Sequence, residues 1–451
     1  MQMRLFYIIL LTLFFASCAS PYTQEQLNSE FKIDNFKNSY DLVDKKTDSI
    51  FDVFDDDELR ELINMALSKN SDIFIYDSRL KIAESQAKIA TSNLIPNVNG
   101  NIGYRFDGNS NIDTSLMASW ELDLFGKYTN AKNAYEEQLN IASENFYFFK
   151  ISLVSDIALA YFNLKYLQND ILLTRERIAN YKELVSVMNV MYESGFINFS
   201  DFMENKALLQ SEEQNLNNLL NNYESKKNEI RILINNKDYE FRDSNYEFSI
   251  PRFYVNLDDS ASIILNRPDI KSQISNLNAA IYNLNSAKAS AYPSIQISGS
   301  LSKALLSPSG ITDLAYQILG SLTLPLFSRI EIYENIKISD YMRLEAYYTL
   351  EKSIDTALNE IENAIYALNS NKKTLNTSLQ MLEDNEKILS TLQQSYELGL
   401  IDFSEYIQAI NSHLLMIKNN NASYFNTISA TIYLYRSIGG NKNDTIIKEK
   451  Q

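Results

Sequence analysis

Tyr192-Glu193-Ser194-Gly195-Phe196-Ile197-Asn198-Phe199-Ser200-Asp201-Phe202 returns in the second half of the chain as Tyr396-Glu397-Leu398-Gly399-Leu400-Ile401-Asp402-Phe403-Ser404-Glu405-Tyr406. Aromatic, acid, glycine, Phe-Ser, acid and aromatic recur in register. A repeat of about 200 residues is far too long for a solenoid unit. The chain reads as a duplicated half-protein. Around each copy, glycine and proline are almost absent: none lies between Gly126 and Gly195 or from there to Pro251, and none between Pro325 and Gly399 or from there to Gly439. Each half therefore predicts a helix of nearly seventy residues, a break at the repeated glycine, and a returning helix of roughly forty. At 1.5 Å per residue the long member spans on the order of 100 Å, beyond any ordinary globular core.

Heptad spacing points to coiled-coil packing: Ile178, Tyr181, Val185, Met188 and Tyr192 step by three and four, as do Ile354, Leu358, Ile361, Ile365 and Leu368. Gly195 and Gly399 suit the left-handed conformation of a helix C-cap between antiparallel helices. Ser200 and Ser404 are the expected N-caps of the returning helices, with Asp201 and Glu405 in the first turn, where the helix dipole favours acids. Helices of this kind alone fit a scaffold as well as a channel.

The segments ahead of the long helices separate those readings. After Pro96, Ile102, Tyr104 and Phe106 alternate with Asn101, Gly103 and Arg105; then Leu116, Ala118, Trp120, Leu122 and Leu124 alternate with Ser115, Met117, Ser119, Glu121 and Asp123. After Pro293, Ile295, Ile297, Gly299 and Leu301 alternate with serines and Gln296, and a return strand sets Tyr316, Ile318, Gly320 and Leu322 against Ala315, Gln317, Ser321 and Thr323. Polar turns at 107–113 and 303–312 join the pairs. Strands of about ten residues with one apolar and one small polar face are what a membrane barrel needs. Four cannot close one, because roughly eight is the minimum and open edges are not tolerated in lipid. Two copies would give eight strands and a filled interior. Three would give twelve strands and a lumen.

The expected fold is therefore mainly α with a membrane β-barrel. Four strands per chain complete a twelve-stranded barrel in a trimer, above a long coiled-coil helical tunnel. The expected layout is a signal peptide at 1–17 and a lipidated segment at 18–56. A first repeat at 57–250 holds a hairpin near 97–124 and helices over 127–235. A second repeat at 251–440 holds a hairpin near 294–324 and helices over 328–438. A tail follows at 441–451.

The N-terminus carries an address. Arg4 precedes an apolar run from Leu5 to Phe15 and then Ala16-Ser17-Cys18. This is a secretory leader, too short to span a bilayer. The small residues before the sole cysteine resemble a bacterial lipobox, which makes Cys18 the lipidation site. Ala19 and Ser20 lack the aspartate that commonly signals inner-membrane retention. A lipid chain plus a second membrane contact gives stable anchoring. The net charge of -16 argues against nucleic acid as a partner, and a single histidine and a single cysteine exclude a multi-ligand His/Cys metal site within one chain. Asp55-Asp56-Asp57-Glu58 lacks the spacing and glycine of a calcium loop and reads as an acidic helix start. His413 reads as a surface residue of the second returning helix. Trp120 suits either an interfacial aromatic belt or packing in the strand-to-helix bend. No phosphate loop, nucleophile elbow or zinc motif is present, so neither catalysis nor a cofactor is expected.

Over nearly the whole mature chain these features resemble the TolC-like outer-membrane efflux factors, in their lipoprotein (NodT/OprM/CusC-type) branch. The most specific pieces are Trp120-Glu121-Leu122-Asp123-Leu124-Phe125-Gly126 and Asn266-Arg267-Pro268-Asp269-Ile270, with echoes at 322–327 and 70–73. The resemblance implies a homotrimer in the outer membrane with a helical periplasmic tunnel closed at its far tip. It implies docking to a periplasmic adaptor and an inner-membrane pump, usually of the RND type, that expels drugs, bile salts or metal ions. The duct itself is passive. Asp201, Glu204 and Glu405 would form acidic rings at the tip, favouring cations, and the adaptor would contact the grooves around Gly195 and Gly399. Where the family often carries a basic residue and a further acid near these turns, this chain has Ile401 and Gln408. Closure then rests more on apolar packing at Leu400, Ile401 and Phe403 than on a salt-bridge latch. Two other functions fit parts of the sequence. One is the outer-membrane component of type I protein secretion; the other is a lipid-tethered periplasmic coiled-coil scaffold.

Overall fold

The computed structural model describes residues 20–22, 26, 30, 31, 33, 36, 37, 49–106, 110–242, 246–249, 260–306, 313–325 and 328–445. The leader at 1–17 and Cys18 lie outside the described residues, as do the middle of both strand turns and the end of the C-terminal tail. The elements in order are α1 (Ile50–Phe54), α2 (Asp57–Lys69), α3 (Ser71–Ser92), β1 (Asn97–Phe106), β2 (Ser110–Leu122), α4 (Lys127–Glu193) and α5 (Phe199–Leu233). The second half gives α6 (Ser260–Asn266), α7 (Pro268–Ala289), β3 (Ser294–Leu306), β4 (Ala315–Thr323), α8 (Arg329–Glu397) and α9 (Phe403–Ser437), then a 3-10 turn at Lys442–Thr445. The Gly/Pro-free windows become helices of 67 and 35 residues in one half and 69 and 35 in the other.

By compactness the chain forms two units, and each draws on both halves: one holds 75–146 and 265–355, the other 34–74, 147–264 and 356–451. The duplication is thus a repeat in sequence that does not coincide with a division into compact bodies.

The first unit contains the four-stranded antiparallel sheet, in the order β1-β2-β3-β4. The register places Val98 opposite Ala118, Ala118 opposite Gly299 and Gly299 opposite Ile318. Because side chains alternate along each strand and directly opposed residues share a face, one face carries Ile102, Tyr104, Leu116, Trp120, Ile297, Leu301, Tyr316, Ile318 and Leu322. The other carries Asn97, Asn99, Asn101, Asp113, Ser115, Gln296, Ser298, Ser300, Gln317 and Ser321. The apolar and polar faces anticipated from the alternation hold across all four strands. Among the described residues β1 and β4 each have one unpaired edge, and both strands are exposed along their whole length.

The motif at 120–126 follows β2 directly and that at 266–270 opens α7, and both have structural work. Asp123 accepts from the Tyr128 and Thr129 amides at 3.0 and 2.7 Å and so closes the open N-terminus of α4, while Gly126 takes φ 75°. Trp120 Nε1 donates to the Leu94 carbonyl at 3.1 Å, and Phe125 stacks on Tyr292 at 4.7 Å. Trp120 therefore stands on the apolar face and packs into the strand-to-helix bend at once. Arg267 is buried and grips Asp269 through Nε and Nη2 at 3.0 and 2.7 Å, with Pro268 at the start of α7.

The second unit is built around α4 and α9, which come from different halves. Arg436 pairs with Asp156, Lys418 with Asp170 and Thr174, and Asn180 donates to Asn411. As the α9 position falls the α4 position rises in step, which fixes the two helices as antiparallel. Further along, Tyr181, Leu184 and Met188 of α4 bury Ile407 of α9, with Ile197, Phe202 and Phe403 packed against them. Fully burying one such aliphatic side chain contributes about 1.5–3 kcal/mol.

Polar joints hold the flanking segments to this core. Asp56 caps α2 by accepting from the Leu59 amide at 2.9 Å, as the acidic run at 55–58 implied. Its other oxygen accepts from the Tyr161 hydroxyl at 2.8 Å. Glu58 and Lys165 form a buried ion pair at 2.9 Å, and Glu58 also accepts from the Arg242 amide. Burial first, and the Asp56 carboxylate second, push the Tyr161 phenol far above its usual range. At the C-terminus, fully buried Asp444 accepts from Ser49, from the Ile50 amide and from Tyr435.

Candidate functional site

The repeated stretches form two helical turns of the same design. At the first, the Phe196 amide donates to the Met191 carbonyl at 2.8 Å and the Gly195 amide to Tyr192 at 3.0 Å. At the second, Leu400 donates to Ser395 at 2.8 Å and Gly399 to Tyr396 at 2.9 Å. These are Schellman caps, which satisfy the last carbonyls of a helix and need a left-handed residue. Gly195 and Gly399 supply it at φ 76° and 70°.

The returning helices begin two residues earlier than expected. The N-caps are Asn198 and Asp402, whose side chains accept from the Asp201 and Glu405 amides at 2.9 and 2.8 Å. Ser200 and Ser404, the expected caps, lie inside the first turn. A shorter-chain acid or amide three residues before another acid is a capping signature, and both copies carry it as Asn198-x-x-Asp201 and Asp402-x-x-Glu405. Asp201 and Glu405 do occupy the first turn.

The aromatic positions of the repeat have matching roles. Tyr192 stacks on Phe202 with ring centroids 5.6 Å apart, and Tyr396 on Tyr406 at 4.7 Å, both nearly parallel. Phe199 and Phe403 lean on the same tyrosines from a second side. Each turn is thus clasped by an aromatic triplet across the two antiparallel helices, a contact that the local pattern does not reveal.

The other candidate residues divide into two groups. Asp201 and Glu204 face a cavity of about 620 Å³ bounded by α4, α5 and α9, which Asp402, Phe403 and Gln408 also line. Glu405 is exposed and does not line it. Leu400 is 73% exposed, whereas Ile401 is half-buried and Phe403 packs onto the Tyr181–Leu184–Met188–Ile407 core. The three apolar candidates are therefore not one patch within a chain. His413 is half-buried and meets Asn385 at 2.9 Å through Nδ1. Among the described residues no group of three or more His, Cys, Asp and Glu is arranged to hold a metal ion, and no helix is long and apolar enough to cross a membrane.

The family model described as outer membrane efflux protein matches residues 62–236 and 260–440. The chain belongs to the outer membrane efflux protein family. Among curated relatives, Toxin and drug export protein A of Aggregatibacter actinomycetemcomitans is 25% identical over 86% of this chain and 87% of its own length. The cation efflux system protein CusC of Escherichia coli K12 is 22% identical, again over 86% and 87%. Among solved structures, the open state of the Neisseria gonorrhoeae MtrE outer membrane channel superposes with a TM-score of 0.81 at 21% identity, covering 94% of this chain and 97% of that one. The outer-membrane channel OprN gives 0.78 at 19% identity, covering 95% and 97%.

As a member of this family the chain is an outer-membrane efflux channel. It is a duct and not an enzyme.

Proposed function

We propose that three copies of this chain close a twelve-stranded barrel and that the assembly is the passive exit duct of a tripartite efflux pump, usually RND-driven. The unpaired edges of β1 and β4 carry this reading. A sheet with one continuous apolar face cannot leave backbone donors and acceptors open in lipid. Four strands per copy then require more copies, and three are the fewest that leave a lumen. The leader at 1–17 is removed and Cys18 is lipidated, giving a second membrane contact beside the barrel. The repeats at 57–250 and 251–440 supply the two helical hairpins of each copy.

Threefold repetition sets Asp201, Glu204 and Glu405 in acidic rings at the periplasmic tip, where they favour cations. Leu400, which is exposed in the single chain, is positioned to pack between copies with Ile401 and Phe403. The adaptor engages the grooves around Gly195 and Gly399. The cargo class is that of the relatives, which are named for toxins and drugs, cations, and toluene. Reconstitution into planar bilayers tests the duct. Steady single-channel conductance is expected, with cation preference reduced by Asp201→Asn together with Glu405→Gln. Complete absence of conductance, in this double variant as well, rejects the duct; unchanged selectivity rejects the rings.

One relative's name couples toxin with drug export, which keeps protein secretion as a second reading. Deletion of the gene separates the two: loss of tolerance to toxic compounds supports efflux, and disappearance of a secreted protein with tolerance intact supports secretion.

A further inference from the structure

The cavity between α4, α5 and α9 has the chemistry of a binding site that lies within a single chain. Three carboxylates line it, those of Asp201, Glu204 and Asp402, and among the described residues none is in an ion pair. The one cation on its wall, Arg177, is already neutralised by Glu212 at 2.8 Å. The lining also includes apolar side chains, Leu184, Met188 and Met191 among them.

A second observation comes from α9. Asn411 lines the same cavity and is only 3% exposed, and its Oδ1 accepts from Asn180, yet its Nδ2 has no hydrogen-bond partner. A buried donor left without an acceptor carries the full cost of its lost hydration. It is retained most cheaply where a ligand or water supplies the missing acceptor. The carboxylates do not converge into a metal-holding group, so a small chelated ion is a poor fit for about 620 Å³ of partly apolar space.

We infer that this cavity binds an amphipathic organic monocation that also carries a hydrogen-bond acceptor. Its charge lies toward Asp201, Glu204 and Asp402, its apolar body rests on Leu184, Met188 and Met191, and its acceptor meets Asn411 Nδ2. The occupant bridges α9 to α4 and α5 close to the turns. The site is complete within one chain, so it stands or falls separately from the acidic rings, which need several copies.

The test uses the full-length protein in neutral detergent at low ionic strength, with rhodamine 6G as probe and uncharged Nile red as the control for partition into micelles. Fluorescence anisotropy is expected to show saturable binding of one rhodamine per chain. Asp201→Asn, Glu204→Gln and Asp402→Asn together are expected to weaken it at least tenfold; asparagine at 402 keeps the N-cap. Ser412→Trp places bulk in the cavity from an exposed lining position without changing charge, and is expected to abolish rhodamine binding. Nile red should be unaffected by either change. Affinity unchanged in both variants overturns the site. So does a stoichiometry of one dye per assembly, which would put the dye on a shared axis and not in this cavity.

Discussion

The two returning helices are equal in length and come from the same repeat, yet they live in different surroundings. Across its 35 residues α5 buries only Asn205, Leu219 and Ile230. The 35 residues of α9 bury twelve, including Ile407, Leu414, Ile428, Ile432, Leu434 and Tyr435. Their caps and aromatic clasps are alike, so the local motif does not set the difference. Partners do: α9 packs on α4 from the other half through ion pairs and a shared core. The α4–α5 contact adds the smaller cluster of Leu167, Ile171 and Leu219 and ion pairs at Arg177–Glu212 and Lys182–Glu213. Duplication supplied two copies of one hairpin, and tertiary packing made one of them core.

Breaking the buried Lys418–Asp170 pair should give the largest effect. Lys418→Ala leaves an uncompensated carboxylate and is expected to cost about 3–5 kcal/mol, read as lost amide-exchange protection along α9. Lys182→Ala, which breaks the exposed pair with Glu213, should cost no more than about 1 kcal/mol. Equal losses would erase the distinction between the helices.

Next in size, Ile407→Ala empties a buried site and is expected to cost about 2–4 kcal/mol in denaturant or exchange measurements. Leu208→Ala on α5, at a position 44% exposed, should stay within about 1 kcal/mol. A comparable cost would show that α5 is packed more deeply than the single chain indicates.

The caps should respond alike, because they belong to the repeat and not to its surroundings. Apart from the chain neighbours, nothing stands within 4 Å of where a Cβ would lie on Gly195 or Gly399. Alanine at either position therefore meets only the left-handed backbone penalty, about 1–2 kcal/mol. Asn198→Ala and Asp402→Ala should each cost about 1 kcal/mol. A large asymmetry between the copies in either series would mean that the turns are coupled to their partners.

Much of this arrangement is legible in sequence, and the reasons are local. Glycine and proline are disfavoured in helix interiors, so their absence marks helices of 67 and 69 residues directly. Alternation in the strands survives because one face must be apolar along the whole length, and the register confirms it from Val98 to Ile318. The β2–β3 pairing and the α4–α9 partnership were not readable, since both join residues from different halves and no local pattern names a distant partner. The N-caps are ambiguous in sequence for a different reason. Serine, asparagine and aspartate all cap well, and the choice among Asn198, Ser200, Asp402 and Ser404 depends on where the Schellman turn releases the chain. The acids and apolar residues proposed for the gate gain positions within one chain. Asp201 and Glu204 share a cavity with Asp402, while Glu405 and Leu400 face outward.

The central claim is that open sheet edges are closed by identical chains around a lumen. Native mass spectrometry of the protein extracted from outer membranes into mild detergent tests it most directly. A single dominant assembly of three chains, hence twelve strands, is expected. A dominant monomer, or an assembly of two chains whose eight strands would leave no lumen, would contradict it.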